Sequence, residues 1–353
     1  MVKCCLLVLA LAATHSPASS AAPGVAMPRS AAPRHHPQAE ADKFQVWRTE
    51  AAASLSARAD ANSLATAAAL RYMSPVYGTG SASGPGPASG AKTASPKPGP
   101  AALELAARAS ELAPQNPSIN WLHLQLCSGT PTCDLRDVAT VMRWVDADNG
   151  AAWLHTLATA QKDRDTTEVD RILADMAHGA RFDFYWNRIV VLMVDALDAA
   201  RDQLPGGFAA SDAARLSTVS GIASGEVIPS FTALVEACRE PGAPAERREL
   251  CLRLSKIMQR GDTVVAQLVG FSIERHLFAA DSKEARAIAE RRHVLEWRVA
   301  AAAKLDNPLL PWTKNARARA RLVQMRAMPR QEDVCIAILR QHKMAIDPPE
   351  VHP

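Results

Sequence analysis

The chain has 353 residues and a formal net charge of +4, from 40 Lys and Arg against 36 Asp and Glu. This small excess gives no basis for nucleic-acid binding, which needs a concentrated positive surface. Aromatic residues make up only 5% of the chain, and apolar residues recur at spacings of three and four rather than alternating. That pattern excludes a substantial β-sheet and predicts an all-α protein.

The first 22 residues have the three parts of a secretory signal peptide. Lys3 supplies a positive charge, an apolar run follows at 4–13, and small residues provide a cleavage site near Ala21 or Ala22. The apolar run is too short to cross a bilayer, and no later run is long enough. We therefore predict a soluble mature chain, periplasmic or secreted, without a transmembrane segment. The alternative is a cytosolic protein whose first helix is apolar.

Composition divides the rest of the chain into five parts. Residues 23–39 lack apolar periodicity and predict a disordered leader. Residues 40–73 predict N-terminal helices, and residues 74–100 form a Gly/Pro/Ser-rich flexible linker that holds those helices on an open tether. Residues 101–345 predict an all-α helical-repeat domain, and residues 346–353 form a C-terminal tail. About 250 residues of short helices favour an elongated stack over one compact core.

Apolar spacing and Pro/Gly turns locate the helices of the main domain. They are predicted at 101–112, 119–126, 135–145, 151–161, 167–177, 184–201, 231–239, 246–260, 263–278, 314–327 and 331–341. Another helix is predicted after Asp281, which with Glu284 has the form of a capping box. Its apolar residues share one face: Ala285, Ile288, Leu295, Val299 and Ala302.

Four cysteines predict two disulfides across helical turns. Cys127 and Cys133 flank a short turn, and Cys238 and Cys251 flank a longer Pro/Gly turn. Metal binding is the alternative, although neither pair has the Cys-x-x-Cys spacing of a zinc site. Cys335 lies in an apolar stretch and predicts a buried thiol.

A short stretch of sequence occurs twice. Asn116 followed by Trp121-Leu122-His123 returns as Asn149 followed by Trp153-Leu154-His155, and the two tryptophans are 32 residues apart. This distance suits one helix-turn-helix unit and predicts stacked helical pairs.

The segment after Asn149 resembles a degenerate tetratricopeptide repeat, and the resemblance extends over about residues 101–178. Trp153 and Leu157 lie on its first helix and Leu173 on its second, with Ala158 where the two helices approach. The chain departs from the family pattern at Leu157, Ala160 and Arg181, where a small residue, an aromatic residue and proline are usual. The resemblance implies a protein-interaction scaffold and assigns no catalytic residue.

The repeated side chains predict a partner-binding surface. On this interpretation His123, Trp153 and His155 line the inner face of the stack and bind a protein or peptide. Alternatively, both histidines are partly buried packing positions. The aromatic segment 181–186 is open to the same two interpretations, as an exposed anchor or as the start of a buried helix.

No motif for a catalytic, cofactor-binding or metal site is present in the sequence. Glu290 and His293 have the spacing of di-iron ligands, but no second such pair accompanies them, so they predict a charged surface helix. Residues 314–343 contain eight Lys and Arg against two acidic residues. A solvated helix face is favoured there over contact with nucleic acid or an anionic membrane, because no aromatics interleave with the arginines.

We therefore predict an interaction scaffold in the cell envelope. The first alternative is an enzyme of unrecognised family in a helical cleft. An enzyme is expected to gather carboxylates or histidines of shifted pKa in one pocket, whereas a scaffold has a broad groove. A purely structural envelope protein is the second alternative and has neither.

Overall fold

The structure, a computed structural model, describes residues 37–72, 100–305 and 314–349. Within these ranges all regular structure is helical, apart from one isolated bridge between Asn149 and Arg181. The all-α prediction is therefore confirmed. The predicted signal peptide at 1–22 and nearly all of the leader and linker lie outside the described residues.

The described residues form fifteen α-helices and two short 3₁₀-helices. The first seven are α1 Pro37–Arg58, α2 Ala61–Tyr72, α3 Pro100–Leu112, α4 Pro117–Ser128, α5 Leu135–Val145, α6 Leu154–Lys162 and α7 Thr166–His178. The others are α8 Trp186–Ala199, α9 Asp212–Glu226, α10 Thr232–Arg239, α11 Ala245–Met258, α12 Val264–His276, α13 Lys283–Leu305, α14 Lys314–Ala327 and α15 Gln331–Gln341. The 3₁₀-helices are Gly150–Trp153 and Arg201–Gln203.

The predicted helices of the main domain are present with ends shifted by at most three residues, but α9 was not predicted. Its sequence is rich in serine and glycine, which lower helix propensity. The helix forms because Ser211 caps it by accepting the N–H of Ala214 and because Leu216, Val219 and Ile222 are buried along one side. Tertiary packing outweighs propensity at this helix.

The N-terminal cap of α13 also differs from the prediction. Ser282, rather than Asp281, accepts the N–H of Ala285 through its hydroxyl, at 3.1 Å. The helix begins one residue later than a cap at Asp281 requires. Its predicted apolar face is confirmed, since the five residues assigned to it are the five buried residues of the helix.

Helix α2 lies at the centre of the fold. All residues from Ser63 to Leu70 are buried, and the helix contacts α1, α3, α4, α8 and α9. Five of these eight residues are Ala or Ser, and such small side chains let neighbouring helices approach on every side. The prediction that the N-terminal helices are held apart on a tether is therefore wrong, because they share the core of the main domain.

Helix α1 is attached to the segment that follows α8. The indole N–H of Trp47 donates to the carbonyl of Pro205 at 3.2 Å, and the Ser54 hydroxyl donates to that of Gln203 at 3.0 Å. Phe44 packs edge-on against Phe208, with ring centroids 4.9 Å apart. These contacts join parts of the chain about 150 residues apart, as the Ser54 bond illustrates at a separation of 149.

Helices α3 to α7 form a local run of hairpins in which each helix contacts the next. Leu157 on α6 and Leu173 on α7 are fully buried, in agreement with their predicted place between these helices. Ala158 is exposed, so the close helix approach assigned to it is wrong. Beyond this run, α8 returns to α2, and α14 contacts α8 and α9. The core therefore brings together helices remote in sequence, not only successive neighbours.

Both predicted disulfides are present. Cys127–Cys133 joins the end of α4 to the turn before α5, with Cα atoms 5.4 Å apart, and Cys238–Cys251 joins α10 to α11 at 5.6 Å. Cys335 is half-buried on α15 rather than fully buried as predicted.

The second disulfide lies beside a buried arginine. The guanidinium of Arg247, which is 4% exposed, binds Asp170 on α7 and Glu240 just after α10. Cys251 is one helical turn further along α11. The covalent bond and the ion pairs together hold the α10–α11 turn in place.

We expect the double substitution Cys238→Ala and Cys251→Ala to lower the free energy of unfolding by about 3 kcal/mol, because the unfolded chain loses a loop constraint of that size. Alanine avoids burying a hydroxyl at these positions. The Cys127–Cys133 disulfide closes a shorter loop. Its removal by Cys127→Ala and Cys133→Ala is therefore expected to lower the free energy of unfolding by about 2 kcal/mol. Urea denaturation of the oxidised proteins measures both losses. An unchanged midpoint for the first pair contradicts the assigned role.

Candidate functional site

The two tryptophans of the repeated stretch occupy different environments. Trp121 is fully buried, donates its indole N–H to the carbonyl of Val227 at 3.0 Å, and stacks on Phe184 at 5.4 Å. Trp153 is half-buried, and the guanidinium of Arg143 lies 4.6 Å above its ring. Their matching positions in sequence do not give them matching roles.

The repeated asparagines do share a role. Asn116 accepts the N–H groups of Ser118 and Ile119 at the start of α4, and Asn149 accepts that of Ala151 at the start of the 3₁₀-helix. The stretch therefore marks two helix starts. The second start is a 3₁₀ turn that ends at Trp153, and the α-helix begins at Leu154.

The aromatic segment 181–186 is buried rather than exposed. Phe182, Phe184 and Tyr185 are each at most 2% exposed, although helix α8 begins only at Trp186. Asp262 accepts the N–H of Phe184 at 2.9 Å, and burial raises the pKa of this carboxyl well above its ordinary value. The segment is a core connection and not an anchor for a partner.

A polar network fixes this connection to the start of the 3₁₀-helix. Asp146 accepts hydrogen bonds from Arg181 and from the Tyr185 hydroxyl. The Asn149 amide donates to the carbonyl of Asp183 at 2.9 Å and accepts the N–H of Asp183 at the same distance. The ion pair between Arg181 and Asp146 adds a further link between this connection and the end of α5.

The two histidines lie between helices. His123 on α4 is 3.3 Å from the Ser110 hydroxyl of α3, and His155 on α6 is 3.1 Å from the side-chain amide of Gln125 on α4. Burial lowers the pKa of both imidazoles, that of His155 to about 4. A neutral imidazole engaged with a neighbouring helix fits the packing alternative. Partner binding by His123, Trp153 and His155 stays a prediction.

An exposed apolar pair on α5 was not predicted. Trp144 is 71% exposed and Val141, one turn earlier, is 46% exposed. The side of α5 that carries Ala139 and Met142 is buried instead. The signal was present in the sequence, because Trp144 lies two residues after Met142 and so points away from the buried side of the helix.

Arg143, which precedes Trp144 in the chain, connects α5 to Trp153. This arginine donates to the hydroxyls of Thr140 on α5 and Thr156 on α6, at 2.8 and 2.9 Å, and covers the Trp153 ring. We call the surface formed by Val141, Arg143, Trp144 and Trp153 the α5 surface. It gathers two tryptophans and an arginine, the residue types most frequent at interaction hot spots.

Two surface clefts share Arg239 and His276. The larger has a volume of about 500 Å³ and lies between α12 and α13. The carboxyls and imidazole with the most strongly shifted pKa values belong to Glu226, Asp262 and His155. None of the three lines either cleft.

Comparison with known proteins finds no matching family model, curated sequence or solved structure.

The described residues contain no group of three or more His, Cys, Asp or Glu placed to hold a metal ion. Glu290 and His293 are both exposed on α13, in agreement with the surface-helix interpretation. Nor is any described helix both long and apolar enough to cross a membrane.

The basic stretch at 314–343 is partly neutralised by other helices. Arg319 pairs with Asp212 of α9 at 2.9 Å, and Arg326 pairs with Asp195 of α8. Val323 is 62% exposed between these two arginines. The ion pairs fit the prediction of a solvated helix face.

Proposed function

We propose that this protein is exported and binds another protein in the periplasm or outside the cell, with the α5 surface as its main contact. Two disulfides support export, because such bonds persist in oxidising compartments. The single observation that carries the binding proposal is Trp144, a large aromatic side chain that is 71% exposed.

Exposure of Trp144 favours a contact site because this large ring lies on the side of α5 opposite the buried Ala139 and Met142. Water contact with an indole is unfavourable, and exposed apolar groups that lie together mark interaction sites. Val141 extends the apolar area along the same side of α5. The helix is firmly placed, since Asp134 caps it and the Cys127–Cys133 disulfide precedes it. A fixed surface loses little entropy on binding.

Charge indicates the chemistry of the partner. Residues 134–178, which contain the α5 surface, carry nine acidic residues against five Lys and Arg, whereas the whole chain has a net charge of +4. Asp137 is exposed one turn before Val141. A partner segment with an apolar side chain beside Lys or Arg complements this surface.

The resemblance to tetratricopeptide repeats supports binding by the same part of the chain. Helices α3 to α7 are consecutive hairpins, as in such arrays, and the α5 surface lies within them. We propose that this run acts as a repeat-like binding module and that the helices after α8 brace it. The proposal assigns Trp153 to the interface and leaves His123 and His155 in packing positions.

The test is capture from envelope extract, followed by titration of the purified partner. The variant Val141→Ser with Trp144→Ser is expected to bind at least tenfold more weakly, because losing a hot-spot aromatic costs upwards of about 1.4 kcal/mol. Val323→Ser, an equally exposed apolar position on α14, is the matched control and is expected to bind within twofold of the native chain.

The salt dependence of partner binding is the second measurement. Affinity of the native chain is expected to fall as ionic strength rises, since the proposed partner is basic. Equal binding by the α5 variant and the native chain contradicts the proposal. So does a partner that proves to be a second copy of this chain, which light scattering of the purified protein detects.

A further inference from the structure

The larger surface cleft has a concentrated positive charge. Three arginines line it: Arg239 at the end of α10, Arg275 near the end of α12 and Arg292 on α13. The exposed His276 lies beside them, and no Asp or Glu is among its lining residues. We call this site the arginine cleft.

Within the part of the chain that the structure describes, two of these arginines have only neutral partners. Arg239 donates to the Ser272 hydroxyl at 2.8 Å, and Arg275 donates to the carbonyl of Ala280 at 2.9 Å. Among the described residues neither forms an ion pair. Ser272 and Ala280 themselves line the cleft, so these contacts hold the guanidinium groups at its wall.

Three other arginines of the protein bind carboxylates instead. Arg247 and Arg298 each bind two carboxylates, and Arg291, next to the third cleft arginine, binds the buried Glu274. Of the cleft arginines only Arg292 has a carboxylate, Glu296, at 2.8 Å. The cleft therefore retains positive charge that no described carboxylate pairs with, and such charge attracts an anion.

The floor of the cleft is apolar. Phe271 and Ile288 are 7% and 2% exposed and belong to a small hydrophobic cluster with Val264, Leu295 and Val299. Phe278 is half-buried and packs against the same cluster. A volume of about 500 Å³ with apolar walls and a few charged groups matches a small-molecule site rather than a nucleic-acid surface.

We propose that the arginine cleft binds a small anionic amphiphile, with a carboxylate or phosphate head group at Arg239 and Arg275 and an apolar chain or ring on Phe271 and Ile288. The planar fork of arginine matches both head groups. The Cys238–Cys251 disulfide fixes the end of α10 next to Arg239, so the guanidinium is positioned before the ligand arrives. This site is separate from the α5 surface and does not depend on partner binding there.

Titration calorimetry with four probes separates the contributions of head group and chain. Octanoate and octyl phosphate, used below their micelle concentrations, carry the two anionic heads. Octanol lacks the charge, and inorganic phosphate lacks the chain. At least one anionic amphiphile is expected to bind tenfold or more tightly than both octanol and inorganic phosphate, and to lose affinity in high salt. The better of the two identifies the head group.

Variants locate the binding. Arg239→Gln and Arg275→Gln are each expected to weaken the favoured amphiphile at least tenfold. Ala289→Glu, at an exposed position that lines the cleft, adds a carboxylate beside the arginines and is expected to abolish binding without affecting the buried core. Arg286→Gln removes the same charge from an exposed position on α13 that does not line the cleft. That control is expected to bind within twofold of the native chain.

Three results overturn the proposal: amphiphiles that bind no better than octanol, inorganic phosphate that binds as well as the favoured amphiphile, or an Arg286→Gln variant as weak as Arg275→Gln. Thermal unfolding of each variant, with a melting temperature close to the native one, shows that the fold is retained.

Discussion

Trp121→Ala is expected to lower the free energy of unfolding by about 4 kcal/mol, in the range for a fully buried tryptophan. The substitution leaves a cavity against Phe184 and removes the hydrogen bond to the Val227 carbonyl. Trp153→Ala is the matched control at the corresponding place in the repeated stretch. It is expected to cost less, about 2 kcal/mol, because this half-buried ring packs at the edge of the core and loses its contacts with Arg143 and Arg171.

Urea denaturation of both variants and the native chain gives the two losses. A near-equal loss for the two substitutions contradicts the inference that the repeated tryptophans have different roles. Trp121→Phe adds a second check. It keeps much of the ring volume, so its free energy of unfolding is expected to lie between those of the native chain and Trp121→Ala.

Glu226→Gln is expected to stabilise the protein by up to about 4 kcal/mol at pH 8, and by less than about 1 kcal/mol at pH 5. Glu226 ends α9 and is 8% exposed. Burial raises its pKa from 4.5 to about 8, and the charge of Arg48 opposes part of this rise. The neighbouring Tyr72 shares the site, where burial and the charge of Glu226 raise its pKa.

The direction of the pH dependence follows from the protons that the folded and unfolded chains bind. Between pH 4.5 and about 8 the folded chain keeps a proton on Glu226 that the unfolded chain releases, so the native protein loses stability as pH rises through this interval. Glutamine is neutral at every pH and removes that loss.

Urea titrations at pH 5, 6.5 and 8 measure the difference between variant and native chain. His155 has the opposite effect, since burial lowers its pKa from 6.5 to about 4 and stability falls as pH falls through that interval. This contribution is common to both proteins and cancels in the difference. A variant-to-native difference that is the same at pH 5 and pH 8 rules out the titration of Glu226 as its cause.

Local sequence determined most of the secondary structure and both disulfides. Apolar residues at helical spacing identified the buried face of α13, and cysteines on either side of short turns identified Cys127–Cys133 and Cys238–Cys251. These features depend on residues close in the chain, whose distances the helix and turn geometries set. The cap of α13 was misplaced by one residue because Asp281 and Ser282 are both suitable caps.

Only the tertiary structure decided which helices meet. The Gly/Pro/Ser-rich composition of 74–100 indicated a separate N-terminal part, yet α2 lies in the core against α8. The repeated stretch indicated equivalent tryptophans, yet Trp121 is enclosed by Phe184 and Tyr185, which lie about sixty residues further along the chain.

The candidate sites depend on the same long-range contacts. Trp144 is exposed because the neighbouring helices cover the other side of α5. The arginine cleft is formed by side chains from α10, α12 and α13. Helical periodicity specifies that a helix has a face to bury but does not specify its neighbour. For this chain the sequence by itself therefore determined the helices and the disulfides, while packing between distant helices determined the surfaces available for binding.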